Sequence, residues 1–246
     1  MTKPPLPLLP EYWNRSEDRQ QVVNGLFDRS ASHYDWICAV MSFGSGPRYR
    51  REALSRAGLA ASMSVLDVAT GTGQVAREAA NLIGSSGRLV GVDPSPAMMR
   101  AGRDRFSIPL VQGVAERLPF CSSSFDFVLM GYALRHVGDL DETFREYLRV
   151  LKPGGRLLLM EITRPASAVG LALMRTYFGG VVPLVARFGT GSRDTARLMR
   201  FYWDTIANSV PAETVLAAIG GAGFSAVERA VSRGIFTEYR ATRPKR

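Results

Sequence analysis

The sequence predicts one α/β domain, a mostly parallel sheet with helices on both faces. Three observations predict it. The stretch Val65-Leu-Asp-Val-Ala-Thr-Gly-Thr-Gly-Gln74 runs from an apolar segment through a Gly-rich turn into a helix-compatible run over 75–83. The same alternation of apolar run and helical pattern repeats to about residue 162. The chain has 246 residues, 46% of them hydrophobic, enough to bury one sizeable core.

Taken in order, residues 1–20, with Pro4, Pro5, Pro7 and Pro10, read as a flexible arm, and 21–246 as a single domain. Residues 21–39 read as a helix anchored by Val22, Leu26, Phe27 and Tyr34. A second helix spans 48–58 and closes on Gly58. The first strand is 64–69, its helix 74–83, and the second strand 88–92. Ser95-Pro96 offers an N-cap and a first-turn proline to a helix over 97–105. Strands follow at 108–112 and 124–130. Asp139 and Glu142 have capping-box spacing, ahead of a face made by Leu140, Phe144, Tyr147, Leu148 and Leu151. Lys152-Pro-Gly-Gly155 reads as a turn and 156–162 as the fifth strand. Residues 163–205 break the rhythm, with Met174, Tyr177, Phe178 and Leu184 set among Gly179, Gly180 and Pro183. They read as a helical insertion covering a substrate, the alternative being an ordinary helix packed on the sheet. A helix opened by Pro211 and two β-like runs, 224–231 and 234–242, complete the sheet.

Ligands of such sheets bind at the carboxyl ends of the strands, which should gather Asp67, Asp93, Val114, Ala115 and residues 131–136. Gly71 and Gly73 give the turn the freedom a ligand lying on the backbone needs. Asp93 ends the second strand, 26 residues after Asp67, where a carboxylate suits a ribose diol. From Gly71 the run matches a dinucleotide fingerprint with Ala76 last. Asp67, however, would repel a pyrophosphate and suits a cationic nucleoside such as S-adenosylmethionine, with its ammonium and sulfonium.

Composition narrows the class. Cys38 and Cys121 lack metal-ligand spacing, so neither a zinc site nor a disulfide framework is expected, and a reducing compartment is. The proline-rich start is no signal peptide. The most apolar run, 168–186, is interrupted by Arg175 and Pro183. Net charge is +9, and all basic residues but Lys3, Lys152 and Lys245 are arginine. The excess concentrates in 187–200 and 240–246. It reads either as a solvated surface or as attraction to an anionic membrane. No aromatic-interleaved basic patch indicates nucleic acid. The fourth strand also lacks the Asp/Asn-Pro-Pro-aromatic signature of base amino-group methylation.

With these residues set out, the chain resembles the class I S-adenosylmethionine-dependent methyltransferases. More narrowly it resembles the UbiE-type ubiquinone/menaquinone biosynthesis C-methyltransferase family. The resemblance covers about 22–242. It rests on Phe27 with Ala31-Ser-His-Tyr-Asp35, Met41-Ser-Phe-Gly44, Asp67-Val-Ala-Thr-Gly-Thr-Gly73 and Gly113-Val-Ala-Glu-Arg-Leu-Pro-Phe120. Ala133-Leu-Arg-His-Val137, Arg149-Val-Leu-Lys-Pro-Gly-Gly-Arg156 and Glu161-Ile-Thr-Arg-Pro165 extend it. It implies a Rossmann-like seven-stranded sheet with N-terminal helices and a helical lid, and S-adenosylmethionine as cofactor. Asp67, Ala69, Gly71, Thr72 and Gly73 would hold the methionine part and Asp93 the ribose. Met98, Val114 and Ala115 would lie at the adenine, with Gly131 behind the sulfonium. Phe27, Tyr34, Phe43, Tyr132 and Tyr177 would line the substrate side, though aromatics at this density could equally be core. Arg135 would stabilise a phenolate and His136 accept its proton, unless Arg135 pairs with Asp139 or Asp141. His33 is the other histidine, and Glu161 a second base or a scaffold acid. Two departures stand out: Val114 replaces an Asp or Asn, and His136 an Asn. The implied substrate is an aromatic or quinol precursor of a respiratory quinone, the alternative a soluble small molecule methylated at C, O or N. No nucleic-acid partner is implied. The expected location is cytoplasmic, with peripheral contact at the inner membrane face and a homodimer left open.

Overall fold

Strands β1 (Ser64–Val68), β2 (Arg88–Asp93), β3 (Leu110–Gln112), β4 (Phe125–Gly131), β5 (Leu151–Ile162), β6 (Ser225–Ser232) and β7 (Phe236–Thr242) form one sheet ordered β3-β2-β1-β4-β5-β7-β6. The computed structural model describes residues 4–103 and 107–245. β1 to β5 pair in parallel, and β7 runs antiparallel to both β5 and β6. The strand order reverses direction between β1 and β4, so the crevice for a ligand opens where these two strands end.

The period-two alternation of the strands sorts two cores. Phe127, Leu129, Leu158 and Met160 face α2 (Gly46–Arg56) and α3 (Gln74–Ile83) through Leu54, Val75, Ala76 and Ile83. Val128, Met130, Leu157 and Leu159 face α5 (Leu140–Val150) and α9 (Ala212–Gly221) through Phe144, Tyr147, Val215 and Ile219. Asp139 caps α5 by accepting from Glu142 N–H at 2.8 Å.

A third core roofs the carboxyl end of the sheet. It joins α1 (Arg19–Met41), α6 (Ala168–Met174), a π-helical segment (Arg175–Val181), α7 (Val182–Thr190) and α8 (Arg193–Asn208). Leu26, Ile37, Met174, Phe178, Phe201 and Tyr202 meet there with Ile162 at the end of β5. The helix is continuous over Ala168–Thr190, despite Arg175 and Pro183, and by length and composition could cross a membrane. Its wider π turn carries the chain into Pro183, which lies in the first turn of α7.

Two expectations are corrected. The arm is docked: Leu6, Leu9 and Trp13 are buried, Trp13 meets Phe201 edge-on, and Tyr12 donates to Asp204 at 2.6 Å. Lys152-Pro-Gly-Gly155 belongs to β5, because Gly154 N–H and Gly155 C=O pair with Arg243 at the far end of the chain. The fourth helix of the sequence reading is α4 (Pro96–Arg103); its expected positions 104 and 105, like residues 1–3 and 246, lie outside the described residues. Leu9→Ala should lower the unfolding free energy by about 2 kcal/mol in urea titration, whereas a loose arm would leave it unchanged.

Candidate active site

The turn after β1 is shaped by backbone geometry. Ala69, Gly71 and Gly73 have φ of 55°, 57° and 78°, and Gly73 is the N-cap of α3. Only an achiral residue adopts such angles without strain, which makes Ala69 the costly member. Gly131 allows a close approach instead: a Cβ there would lie 2.6 Å from Val75 Cγ2. Asp67 sits behind the turn, buried, accepting from Thr70 Oγ1 at 2.7 Å. Burial pushes its carboxyl up to about 7. Asp93 faces the cavity. Its two oxygens accept from Gly71 N–H and Ser95 N–H, each at 2.8 Å, and burial pushes it up to about 6 against those bonds.

One cavity spans the turn and the roof. Its lower part is lined by Ala69, Gly71, Thr72, Asp93, Met98, Val114, Ala115 and Gly131, all expected from the sequence. Its upper part is lined by Phe27, Tyr34, Tyr132 and His136, also expected, by Phe178 and Tyr202 from the insertion expected to cover a substrate, and by Cys38 and Arg50, which were not expected. A polar bridge joins roof to turn: Asp35 accepts from Thr72 Oγ1 and, at 2.8 Å, from Gln74 Nε2, while Arg50 donates to Gln74. Arg50 also lies 5.9 Å from the Tyr132 ring centroid. It stands in an arginine-rich helix beside Arg48 and Arg51, and nothing in the sequence separates it from them.

Five expected residues lie outside the lining. Asp67 braces the turn from behind, and Gly73 turns the chain into α3. Phe43 is 85% exposed and stacks on Tyr177, whose hydroxyl donates to Met41 C=O at 3.0 Å. The neighbour Phe178 enters the cavity in place of Tyr177. Arg135 is buried beneath the wall. It donates to Glu161 Oε2 and to Tyr132 C=O at 2.7 Å and to Thr205 Oγ1 at 3.1 Å, and lies 4.3 Å from the Tyr202 centroid. Its ion-pair partner is thus Glu161 on β5, while Asp139 caps α5. Burial pushes the Glu161 carboxyl up, and the Arg135 charge pulls against it. His33 is also outside the lining.

His136 is packed between Phe27, edge-on at 5.4 Å, and Phe201, stacked at 5.5 Å. Both ring nitrogens are buried without a hydrogen-bond partner among the described residues. Burial, reinforced by the nearby charges of Arg135 and Arg19, holds the imidazole well below its usual 6.5.

The cavity fits a nucleoside bearing a cation. A carboxylate ends β2, glycine backbone floors the turn, and no basic residue of the turn itself awaits a pyrophosphate. Fold and site together define a class I S-adenosylmethionine-dependent methyltransferase. The chain belongs to the ubiE/COQ5 methyltransferase family, whose model matches residues 14–243. It is 32% identical over 242 residues to the ubiquinone/menaquinone biosynthesis C-methyltransferase UbiE of Pseudomonas paraeruginosa, covering 95% of this chain and 93% of that one. The Pseudomonas putida protein of the same name is 33% identical over 230 residues, covering 90% and 89%. Among solved structures, the fold is similar to a possible histamine N-methyltransferase of Thermotoga maritima (TM-score 0.63, 22% identity, 89% of this chain and 98% of that one). It is also similar to the S-adenosylmethionine complex of Haemonchus contortus phosphoethanolamine N-methyltransferase 2 (TM-score 0.57, 18% identity, 92% and 59%).

Proposed function

We propose that this enzyme methylates a ring carbon of a hydroxylated respiratory-quinone precursor. The carrying observation is that the cofactor turn and an aromatic chamber share one cavity, so a flat apolar ring can lie against the methyl donor. The names of the UbiE relatives support the same substrate class. S-adenosylmethionine supplies the electrophilic methyl group. Gly71 and Thr72 would hold its methionine part, Asp93 the ribose hydroxyls, and Met98, Val114 and Ala115 the adenine.

The chain's own residues do the rest. Phe27, Tyr34, Tyr132, Phe178 and Tyr202 enclose the acceptor ring and exclude water. A phenol ionises near pH 10, so the ring needs a proton acceptor at neutral pH. His136, with both nitrogens unpartnered, takes the hydroxyl proton as the ring carbon bonds the methyl group and the methyl–sulfur bond breaks; the ring carbon then releases its own hydrogen as a proton from the site, and the imidazolium, which burial and the Arg135 and Arg19 charges disfavour, returns its proton to the ring oxygen. Arg50, at the cavity wall, steadies the resulting oxyanion.

The direct test offers labelled S-adenosylmethionine with a short-tailed demethylmenaquinol, a ubiquinol precursor and soluble phenols. Label on a quinol ring carbon is expected. Label confined to soluble phenols would move the enzyme to specialised metabolism.

Asp93→Asn should weaken cofactor binding about tenfold, the worth of one charge-assisted hydrogen bond. Wild-type affinity should rise as pH increases through about 6, where Asp93 ionises, and the variant should lose that dependence. The folded-state value is raised, so the carboxyl favours the fold at low pH, and that contribution is lost as pH rises through about 6. The Asp93→Asn change is therefore expected to help the cofactor-free fold more at pH 8 than at pH 4, read as the difference in Tm.

A further inference from the structure

We infer that the outward face of the helix Ala168–Thr190, with Phe43 beside it, docks on an anionic lipid bilayer. This rests on the quinone-precursor reading for why a membrane is visited, and on geometry for where the protein touches it.

The helix is apolar on two sides. Its inward stripe, Met174, Phe178, Val182 and Ala186, repeats every four residues and is buried against α1 and α8. Its outward side exposes Val169, Leu173, Leu184 and Phe188, the last at 83%. A helix apolar all round is normally enclosed, yet only 22% of the most apolar window here is buried. Trp36, exposed on α1, packs beside Gly189, where a Cβ would lie 2.3 Å from its ring. Trp and Phe so placed suit the boundary between water and acyl chains.

Charge selects the occupant. From Thr163 to Ser192 the sequence has no acidic residue, but it has Arg164, Arg175 and Arg187. Arginines around an apolar face are attracted to anionic headgroups. A second copy fits less well, because an isologous contact would set this cationic face against itself. Spanning is also excluded by packing: lipid on all sides would strip Met174, Phe178 and Val182 from the roof.

The face adjoins the cavity. Phe178 lines the cavity from the inward side, and Tyr177 beside it bonds to Met41, another lining residue. Phe43 stacks on Tyr177 and projects into solvent. An acceptor whose ring sits among the aromatics can therefore run an apolar tail past this rim into the bilayer.

The test is cosedimentation of the full chain with phosphatidylcholine vesicles, with and without phosphatidylglycerol. Binding to the anionic vesicles, weakened by salt, is expected. The exposed-site variant Leu184→Glu/Phe188→Glu should lose about tenfold or more of it. Its methylation of a short-tailed quinol free in solution should be unchanged. No wild-type binding, or equal binding by the variant, overturns the proposal. So does a wild-type dimer that the variant converts to monomer without change in vesicle binding. Vesicle binding without quinol methylation would sink the substrate reading and leave the surface standing. Quinol methylation without vesicle binding would do the reverse.

Discussion

Glu161→Ala is expected to destabilise the fold by about 3–5 kcal/mol, the cost of leaving one partner of a buried ion pair uncompensated. Arg135 is 3% exposed and would keep its charge beneath the cavity wall with only Thr205, the Tyr132 carbonyl and the Tyr202 ring to face. The Leu134 amide, which donates to Glu161 at 2.8 Å, would lose its acceptor as well. Glu161→Gln keeps the side-chain shape but replaces one of the two accepting oxygens by an amide donor, so it retains one of the two hydrogen bonds and its loss should be smaller. Replacing both partners by methionine should recover much of the Glu161→Ala loss. Urea unfolding with constant m-values checks all three, and a Glu161→Gln variant as stable as the wild type would refute the electrostatic account. The pair locks the loop after β4 onto the end of β5, which makes Arg135 a residue that positions its neighbour His136.

His136→Phe is expected to lower kcat about 10²-fold while leaving cofactor affinity unchanged, as loss of a positioned proton acceptor does. A second readout separates chemistry from packing. The folded-state value of His136 is depressed, so its neutral form favours the fold above about pH 6.5. That contribution is lost as pH falls through the folded value. A phenyl ring cannot protonate, so the His136→Phe variant should resist acid unfolding better than the wild type below pH 6.5. An unchanged kcat with an altered acid limb would reduce His136 to a buried ring that stacks on Phe201.

The sheet and the cofactor turn were legible because both rest on local pattern. Apolar runs report strands buried on both faces, and the Gly-rich turn must follow β1 directly. The Asp139 cap was legible for the same reason. What failed depended on distant partners. Leu6, Leu9 and Trp13 carry an apolar spacing that the surrounding prolines masked, and Leu9 and Trp13 bury in the third core, which is built from elements distant in the sequence. Tyr177 and Phe178 are adjacent and both aromatic; the winding of the π segment decides which enters the cavity. Arg135 could be matched to any nearby carboxylate by sequence, but the parallel pairing of β4 and β5 brings Glu161 to it.

The docked N-terminal segment has a consequence for synthesis. Its partners, Phe201, Asp204 and Val210, which donates its amide to Pro5 C=O at 3.0 Å, are made roughly two hundred residues later. At about 5–20 residues per second the first segment waits on the order of ten seconds or more for a surface to cover. Throughout that interval Leu6, Leu9 and Trp13 lack part of the surface that buries them in the fold and are open to chaperones. The roof over the chamber is therefore assembled from segments made far apart in time, and a ribosome stalled before α8 displays a chain that still lacks α9, β6 and β7 as well as the surface on which its N-terminal segment docks.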